Sequence, residues 1–380
     1  MRNSFEVIVI GAGSMGMSAG YYLAKRGIRT LMIDSYDPPH ENGSHHGEPR
    51  LIRHAYSGGM PYINLALEAD RLWRELEAAS GNKLLVRSGV LNMADRSAGK
   101  FITRLPGCSE AGVQVEMLDA SEVHRRWAGI SLPESYEAMY EPNAGYLYSE
   151  QCIAAYRKLA LAEGAMLLPY NPVQHIQADR AGVRVRTRAG EFSADQLIIT
   201  AGAWFKSLEP FVTLPIRAVR KTVGWFGSGV HLYDAGIFPG FTLESKEGSY
   251  YGFPNISGAG IKIGRHDGGL PWAPGEQAAP FGHLEEDEGD LRRTLSAFLP
   301  HSAGALLQGA VCKYELTPDE DFIIDRHPHH ANVVLAGGFS GHGFKFASAV
   351  GSLLADLIQQ VSSTSELSTF SLSRFNHIKS

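Results

Sequence analysis

Three groups of residues in this 380-residue chain have types and spacings that could do chemistry. Gly11, Gly13 and Gly16, in "GAGSMG", have the GxGxxG spacing, and Asp34 follows at the end of the next apolar run. Such a turn lets main chain approach a diphosphate, and an acid placed this way can accept hydrogen bonds from a ribose diol. Gly341, His342, Gly343 and Lys345 form a second glycine-rich turn near the other end of the chain. Cys312 stands in "GAVCKYELTPDEDFIID", residues 309–325, and is one of three cysteines. A thiolate is a strong nucleophile, so Cys312 is a candidate for covalent chemistry. The plain alternative, a small buried apolar residue, is the reading for Cys108 and Cys152.

These groups need elements to hold them. "FEVIVI" reads as a short buried parallel strand, "MSAGYYLAKRG" as a helix stopped by Gly27, and "IRTLMID" as the next strand, ending at Asp34. Gly11 makes the tight turn, Gly13 lets the backbone reach a pyrophosphate, and Gly16 lets helix and strand touch. Ser14 and Met15 lie at the helix opening, where free N–H groups and positive potential favour phosphate. NAD and FAD both carry ADP, so this motif alone leaves the choice open. The far turn follows a strand at 332–336 and opens a helix from about Phe344 to Gln360. A helix dipole and Lys345 there would stabilise the anionic N1–C2=O edge of a reduced flavin. A nicotinamide has no such need, which tilts the balance to FAD. "ADQLIITAGAW", with Gly202 and Trp204, reads as a strand returning to the dinucleotide domain. "GAMLLPYNPVQHIQ", with Val173, reads as a strand able to touch adenine.

The length suits two packed domains, and 44% hydrophobic with 20% charged residues describes a globular chain. The expected fold is mixed α/β: a βαβ dinucleotide-binding domain from 1–82, 149–214 and 321–380, and a second domain from 83–148 and 215–320. Strands such as "YYGFPN" and "GIKIGRH" suggest an antiparallel sheet in the second domain, laid over the cofactor. The net charge of −5 gives no basic field for nucleic acid. No apolar run is long enough to span a membrane, and the chain enters its first strand without a leader, so a cytoplasmic location is expected. The odd, scattered cysteines argue against a disulfide framework or a zinc knuckle. His40, His45, His46 and His54 lack helical i, i+4 pairing, and no metal is expected.

The blocks "VIVIGAGSMGMSAGYYLAKRG", "DPPHENGSHHGEPRLIRHAY", "YYGFPNISGAGIKIGRH", "GAVCKYELTPDEDFIID" and "GFSGHGFKFAS" occur in this order over residues 5–374. In these the chain resembles the monomeric sarcosine oxidase family, which includes the N-methyltryptophan oxidases and has the D-amino-acid-oxidase-like fold. The resemblance implies a monomeric flavoenzyme with FAD bound covalently, its 8α carbon joined to the sulfur of Cys312. It implies oxidation of secondary, mostly N-methyl amino acids with O2 as acceptor, giving the demethylated amino acid, formaldehyde and hydrogen peroxide.

The resemblance also assigns roles. Arg53 and Lys345 match a pair that holds the substrate carboxylate, and "RLIRHAY" is otherwise apolar or aromatic, as suits a partly buried arginine. In an extended segment Arg50 and Arg53 would point to opposite faces; Arg50 is implied to sit at the flavin ring, with Ser44 and His45 nearby. Lys262 matches a lysine that activates oxygen, and its flanking Ile261 and Ile263 would face the other side of a strand. His266, Tyr251 and Tyr314 match groups that orient the amine. Gly341 offers a carbonyl to the amine N–H, and His342, Gly343 and Phe344 lie at the cofactor with Lys345.

Departures from the family pattern are Glu48-Pro49 before Arg50, the wording of "FTLESKEGSYY", and Arg265 where sarcosine oxidases carry an aromatic residue. The last leans toward the methyltryptophan members. Sarcosine-like substrates come first, with bulkier N-methyl amino acids or cyclic imino acids such as proline and pipecolate as the alternative. Competing classes are an FAD dehydrogenase without a covalent link, opposed by Lys262 and Cys312, and a binding subunit without catalysis, opposed by Arg53, Lys262, Cys312 and Lys345 together.

Overall fold

The computed structural model describes residues 3–361 and 364–375. Residues 1, 2, 362, 363 and 376–380 of the outer segments expected in the dinucleotide-binding domain lie outside the described residues.

Two large sheets organise the fold. Among the described residues the first has eight strands. Ser4–Ile10 lies between Thr30–Ile33 and Gly190–Ile199, parallel to both. Met166–Leu168 extends one side, and His330–Gly337 pairs in parallel with Leu197–Ile199 on the other. "IVI", "LMI" and "LII" are continuous apolar runs because helices cover one face and a second apolar cluster covers the other. The covering helices include Ser14–Lys25, Met60–Ser80, Ser149–Ala162 and Ala347–Gln359. Ser14–Lys25 and Ala347–Gln359 touch so closely that a Cβ on Gly351 would lie 2.1 Å from Ser18 Oγ.

The second sheet has nine strands among the described residues. Its spine is Arg217–Phe226, antiparallel to Leu306–Leu316, Ile261–Arg265 and Leu270–Trp272. Ser249–Phe253 and Gly240–Glu244 continue it; Gly240–Glu244 then pairs in parallel with Val90–Asp95, so the sheet is mixed and not purely antiparallel. Alternation fixes which face is which. Ile261 and Ile263 are buried in a cluster with Leu291, Leu295 and Phe298 of the helix Glu286–Phe298. Lys262 and Gly264 therefore face the other way. A small sheet of Arg50–Ile52, Leu85–Val86 and Gly145–Leu147 joins segments assigned to the two different domains.

Several boundaries differ from expectation. The first helix begins at Ser14, inside the glycine motif, so its first turn carries the motif's own N–H groups. Segment 164–177 is not one strand: Met166–Leu168 and the start of His175–Asp179 are separated by a loop, and Val173 lies in that loop. "YNPV" breaks it, because proline donates nothing to a ladder. The last helix opens with a 3-10 turn at Phe344–Phe346 before Ala347–Gln359.

Candidate active site

A cavity of about 630 Å³ lies between the two large sheets. At one end stands the glycine motif. Gly11 has φ +87°, and a Cβ there would lie 2.5 Å from Thr200 O; at Gly16 it would lie 1.9 Å from Gly11 O. Only glycine lets these segments pack so closely. Gly13 differs, since a Cβ there would meet nothing nearer than His45 Nδ1 at 3.9 Å. Gly13, Ser14 and Met15 line the cavity, and no side chain caps the helix at Gly13, so its first N–H groups have no side-chain partner there.

Asp34 is buried at the cavity edge. Oδ2 accepts from Ala12 N at 2.7 Å and Oδ1 from Tyr36 N at 2.9 Å, tying the glycine turn to the next loop. Ser44, His45, Val173, Gly202 and Trp204 complete this end. Ser44 Oγ donates to Lys313 O at 2.7 Å. His45 Nε2 accepts from His40 N at 3.1 Å. Burial, aided by His40, Arg50 and His46, pushes the His45 imidazole down to about 3, so it is neutral.

The other end is the second sheet, and strand register builds it. Phe253, Lys262 and Trp225 form one cross-strand row. Tyr251, Gly264, Val223 and Ala310 form the next. Lys221 opposes Cys312, and Val219 opposes Tyr314. Alternation thus puts Lys262, Tyr251, Cys312 and Tyr314 on one face. Tyr314 Oη donates to Tyr251 Oη at 3.5 Å, and the His266 and Tyr314 rings are 5.8 Å apart. Burial, then Lys221, Arg53 and Lys345, lowers His266 to about 4.

Tyr251, His266 and Tyr314 line the cavity, but Gly16, Lys262 and Cys312 are not part of its surface. Gly16 is turned onto Gly11. Lys262 is 1% exposed; its Nζ donates to the carbonyls of Gly47 and Pro49 and lies 5.0 Å from the Phe253 ring centre. Burial and then Arg50 hold its pKa well below the usual lysine range. Cys312 is buried, which raises its thiol pKa, while Arg50, Lys262, Lys221 and Lys313 pull it down.

Arg50 and Arg53 both line the cavity but reach separate sets of partners; the strand ends at Ile52, so alternation alone does not set the direction of Arg53. Arg50 folds back to donate to the carbonyls of Ser44, His46, Gly47 and Pro49, which staples the 44–50 loop. Arg53 Nη1 donates to Asn92 Oδ1 at 3.0 Å, and its guanidinium sits 5.2 Å from the Tyr56 ring centre. Lys345 Nζ lies 5.4 Å from the same ring and donates to His342 O at 2.8 Å. Burial and then Arg53 depress Lys345 strongly. Two cationic groups thus share one aromatic ring, and among the described residues no carboxylate is bonded to either. Gly341, His342, Gly343 and Phe344 line the same cavity.

Sequence reasoning missed Asn92, Lys221 and Glu315. Asn92 orients Arg53 and also accepts from Thr242 Oγ1 at 2.9 Å. Lys221 is buried opposite Cys312 and donates to the carbonyls of His266, Asp267 and Gly268. Glu315 is buried at the cavity wall. The available signal was a charge inside an apolar strand, "AVRKTVGWF" and "VCKYEL".

The residues present fit FAD. Gly13 leaves open space beside an uncapped helix N-terminus, and two buried polar atoms at the cavity, Glu315 Oε2 and His342 Nδ1, have no partner. The FAD dependent oxidoreductase family, DAO, matches residues 6–357. Monomeric sarcosine oxidase of Bacillus sp. (strain B-0618) is 45% identical over 378 residues, covering 98% of this chain and 97% of that one. The chain belongs to the monomeric sarcosine oxidase and N-methyltryptophan oxidase family of FAD-dependent oxidoreductases. N-methyl-L-tryptophan oxidase of Yersinia pestis (strain Pestoides F) is 40% identical, covering 98% of this chain and 99% of that one. In fold, the oxidoreductase is similar to NikD, an unusual amino acid oxidase (TM-score 0.84, 24% identity, 97% of this chain and 98% of that one). It is also similar to glycine oxidase from Geobacillus kaustophilus (TM-score 0.83, 23% identity, 98% of this chain and 99% of that one). No helix among the described residues is long and apolar enough to cross a membrane.

Proposed function

We propose that this oxidoreductase demethylates sarcosine or a related N-methyl amino acid: amine, O2 and water give the amino acid, formaldehyde and hydrogen peroxide. The observation that carries the reading is the cation pair Arg53 and Lys345 beside one aromatic ring, lining the same cavity as Tyr251, Tyr314 and His266. The pair binds the substrate carboxylate, and Asn92 holds Arg53 at its angle. The two tyrosines orient the amine. An amine gives up a hydride equivalent only when neutral, and the His266 imidazole, held down to about 4, stays uncharged at neutral pH and so orients the amine without adding a repelling charge. Bound FAD would supply the two-electron acceptor between the amine and O2. Lys262 supplies a positive charge close behind the wall, which favours electron transfer to O2.

Cys312 carries the flavin through a thioether in this reading, supported by the four cations that favour its thiolate. Segments 1–82, 149–214 and 321–380 serve as the FAD-binding domain, and 83–148 with 215–320 as the substrate domain. The enzyme acts as a monomer, as the name of its Bacillus relative states of that protein. A cytoplasmic setting suits its three free cysteines.

A second reading, a bulkier N-methyl amino acid, is favoured by the cavity's continuation past Tyr251 to Thr242, Glu244 and Ser249. Arg265 gives it no support: it sits on the opposite face and is bound by Asp267, Asp290 and Glu247 O. A peroxide-release assay with sarcosine, N-methyl-tryptophan, N-methyl-alanine, proline and pipecolate decides. Highest kcat/KM on sarcosine supports the first reading, and preference for N-methyl-tryptophan the second. No peroxide from any N-methyl amino acid by flavin-loaded enzyme refutes both.

A further inference from the structure

Glu315 is 7% exposed, and its Oε2 lacks any hydrogen-bond partner. A buried polar atom left this way costs free energy that a fold normally avoids. The carboxyl nonetheless sits in the cavity wall. It follows Tyr314 in the strand Leu306–Leu316, so its side chain leaves the face shared by Cys312 and Tyr314. It goes instead toward the second glycine turn and Gly202, where a Cβ would lie 4.0 Å from Oε2. Burial pushes it up to about 7, although the N–H groups of Gly338 and Phe339 pull it down. No cation among the described residues bonds it.

Its place along the cavity narrows what could satisfy it. On one side lie Thr200 and Gly11 of the glycine motif, on the other Tyr314 and Tyr251. In FAD the stretch between diphosphate and ring is the ribityl chain, a run of hydroxyl groups. A hydroxyl donates one hydrogen bond and accepts others, so it can meet a carboxyl in either protonation state.

We propose that Glu315 is a cofactor-binding residue that accepts a hydrogen bond from a hydroxyl of the FAD ribityl chain. Its orphaned oxygen is then an unfavourable feature of the flavin-free protein that the cofactor relieves.

The test uses the full chain in a Cys312→Ser background, so that flavin binding is reversible. Fluorescence titration would give Kd for FAD, riboflavin and lumiflavin, the last lacking the ribityl chain. Glu315→Met should weaken FAD and riboflavin by the same factor, about tenfold, and leave lumiflavin unchanged. Glu315→Gln, which keeps an acceptor, should stay within about threefold of the parent. The flavin-free Glu315→Met protein should unfold at the same temperature as the parent or higher, because an unpaired carboxyl has been removed. Unchanged FAD affinity in Glu315→Met overturns the proposal. So does an equal loss for lumiflavin, or a flavin-free variant that melts lower, either of which makes Glu315 a structural residue. None of these outcomes depends on which amino acid the enzyme oxidises.

Discussion

The ring of Tyr314 and the main chain of Gly341 meet so closely that a Cβ on Gly341 would lie 2.1 Å from Tyr314 Cε2. Gly341 also has φ +77°, a conformation that side chains resist. Gly341→Ala therefore pushes Tyr314 out of place and strains the turn that presents Lys345. The expected outcome is a fall of at least tenfold in kcat/KM, with a lower melting temperature. A variant that keeps both within twofold would show that the turn and the ring yield freely.

Arg53 and Lys345 differ in what they have left to offer. Arg53 commits Nη1 to Asn92 and keeps further donors for a carboxylate, whereas the Lys345 ammonium is strongly depressed by burial and by Arg53 itself. An arriving carboxylate favours the charged form of Lys345. Arg53→Met should raise KM by about a hundredfold and Lys345→Gln by about tenfold, with kcat less affected, since a charged hydrogen bond contributes about 1.5–3 kcal/mol. Steady-state kinetics check this, with a simple carboxylate as competitive inhibitor. Unchanged inhibitor affinity in both variants would place the clamp elsewhere.

Cys312 is pulled two ways: burial keeps the thiol protonated, and four cations oppose it. The wild-type protein should keep its yellow colour after acid precipitation, and Cys312→Ser should release it to the supernatant. Attachment of FAD to flavin-free protein should quicken from pH 6 to pH 9 as the thiolate fraction grows. Lys221→Gln, removing the ammonium opposite Cys312, should slow attachment at pH 7. Flavin released from the wild type by acid would refute the thioether.

The sequence announced the site's outline because glycine spacing and strand alternation are local signals. Gly11, Gly13 and Asp34 could be read with their elements, and the Ile261-Lys262-Ile263 alternation already told which way the lysine faces. Pairing across the second sheet was not legible. Lys221 lies 91 residues from Cys312 in sequence (312 − 221), and only register sets them opposite each other. Depth was not legible either, since nothing in "GIKIGRH" tells that Gly47 and Pro49 offer their carbonyls to Lys262. Arg265 misled because a departure from the family pattern tells the residue type and not the face: alternation sends Arg265 toward Asp290, while His266 lines the cavity.

Buried histidines, His45 and His266 among them, set an acid limit on the flavin-free protein. His45 is held down to about 3 and His266 to about 4, against an ordinary 6.5. The unfolded chain takes up these protons near pH 6.5 while the folded chain refuses them until much lower. Each histidine therefore subtracts stability as pH falls from 6.5 toward 4. Glu315, raised to about 7, has the opposite sign over pH 7 to 4.5 and offsets part of the loss. The flavin-free protein should melt lower at pH 5 than at pH 7.5. His45→Gln should narrow that gap, and a variant with the same pH slope would remove His45 from the account.

Lys262 joins placement and charge most tightly. Its Nζ has two carbonyl partners, no carboxylate, and Arg50 nearby, so its proton is held less firmly than an ordinary lysine's. The charge that favours electron transfer to O2 is present below its depressed pKa and lost as pH rises through it. Reoxidation of the substrate-reduced enzyme, followed by stopped flow, should therefore slow with rising pH, at a midpoint below 10.5. Anaerobic reduction by substrate should change in the other direction, because a higher pH supplies more neutral amine. Lys262→Met should slow reoxidation by at least a hundredfold, remove its pH dependence, and leave anaerobic reduction within about threefold, as expected for losing one preorganised charge. Lys262→Arg, charged throughout, should flatten the profile even if its larger head slows the step. Equal losses in both half-reactions of Lys262→Met would make the lysine a structural support for the 44–50 loop, through Gly47 and Pro49, and not a group that acts on oxygen.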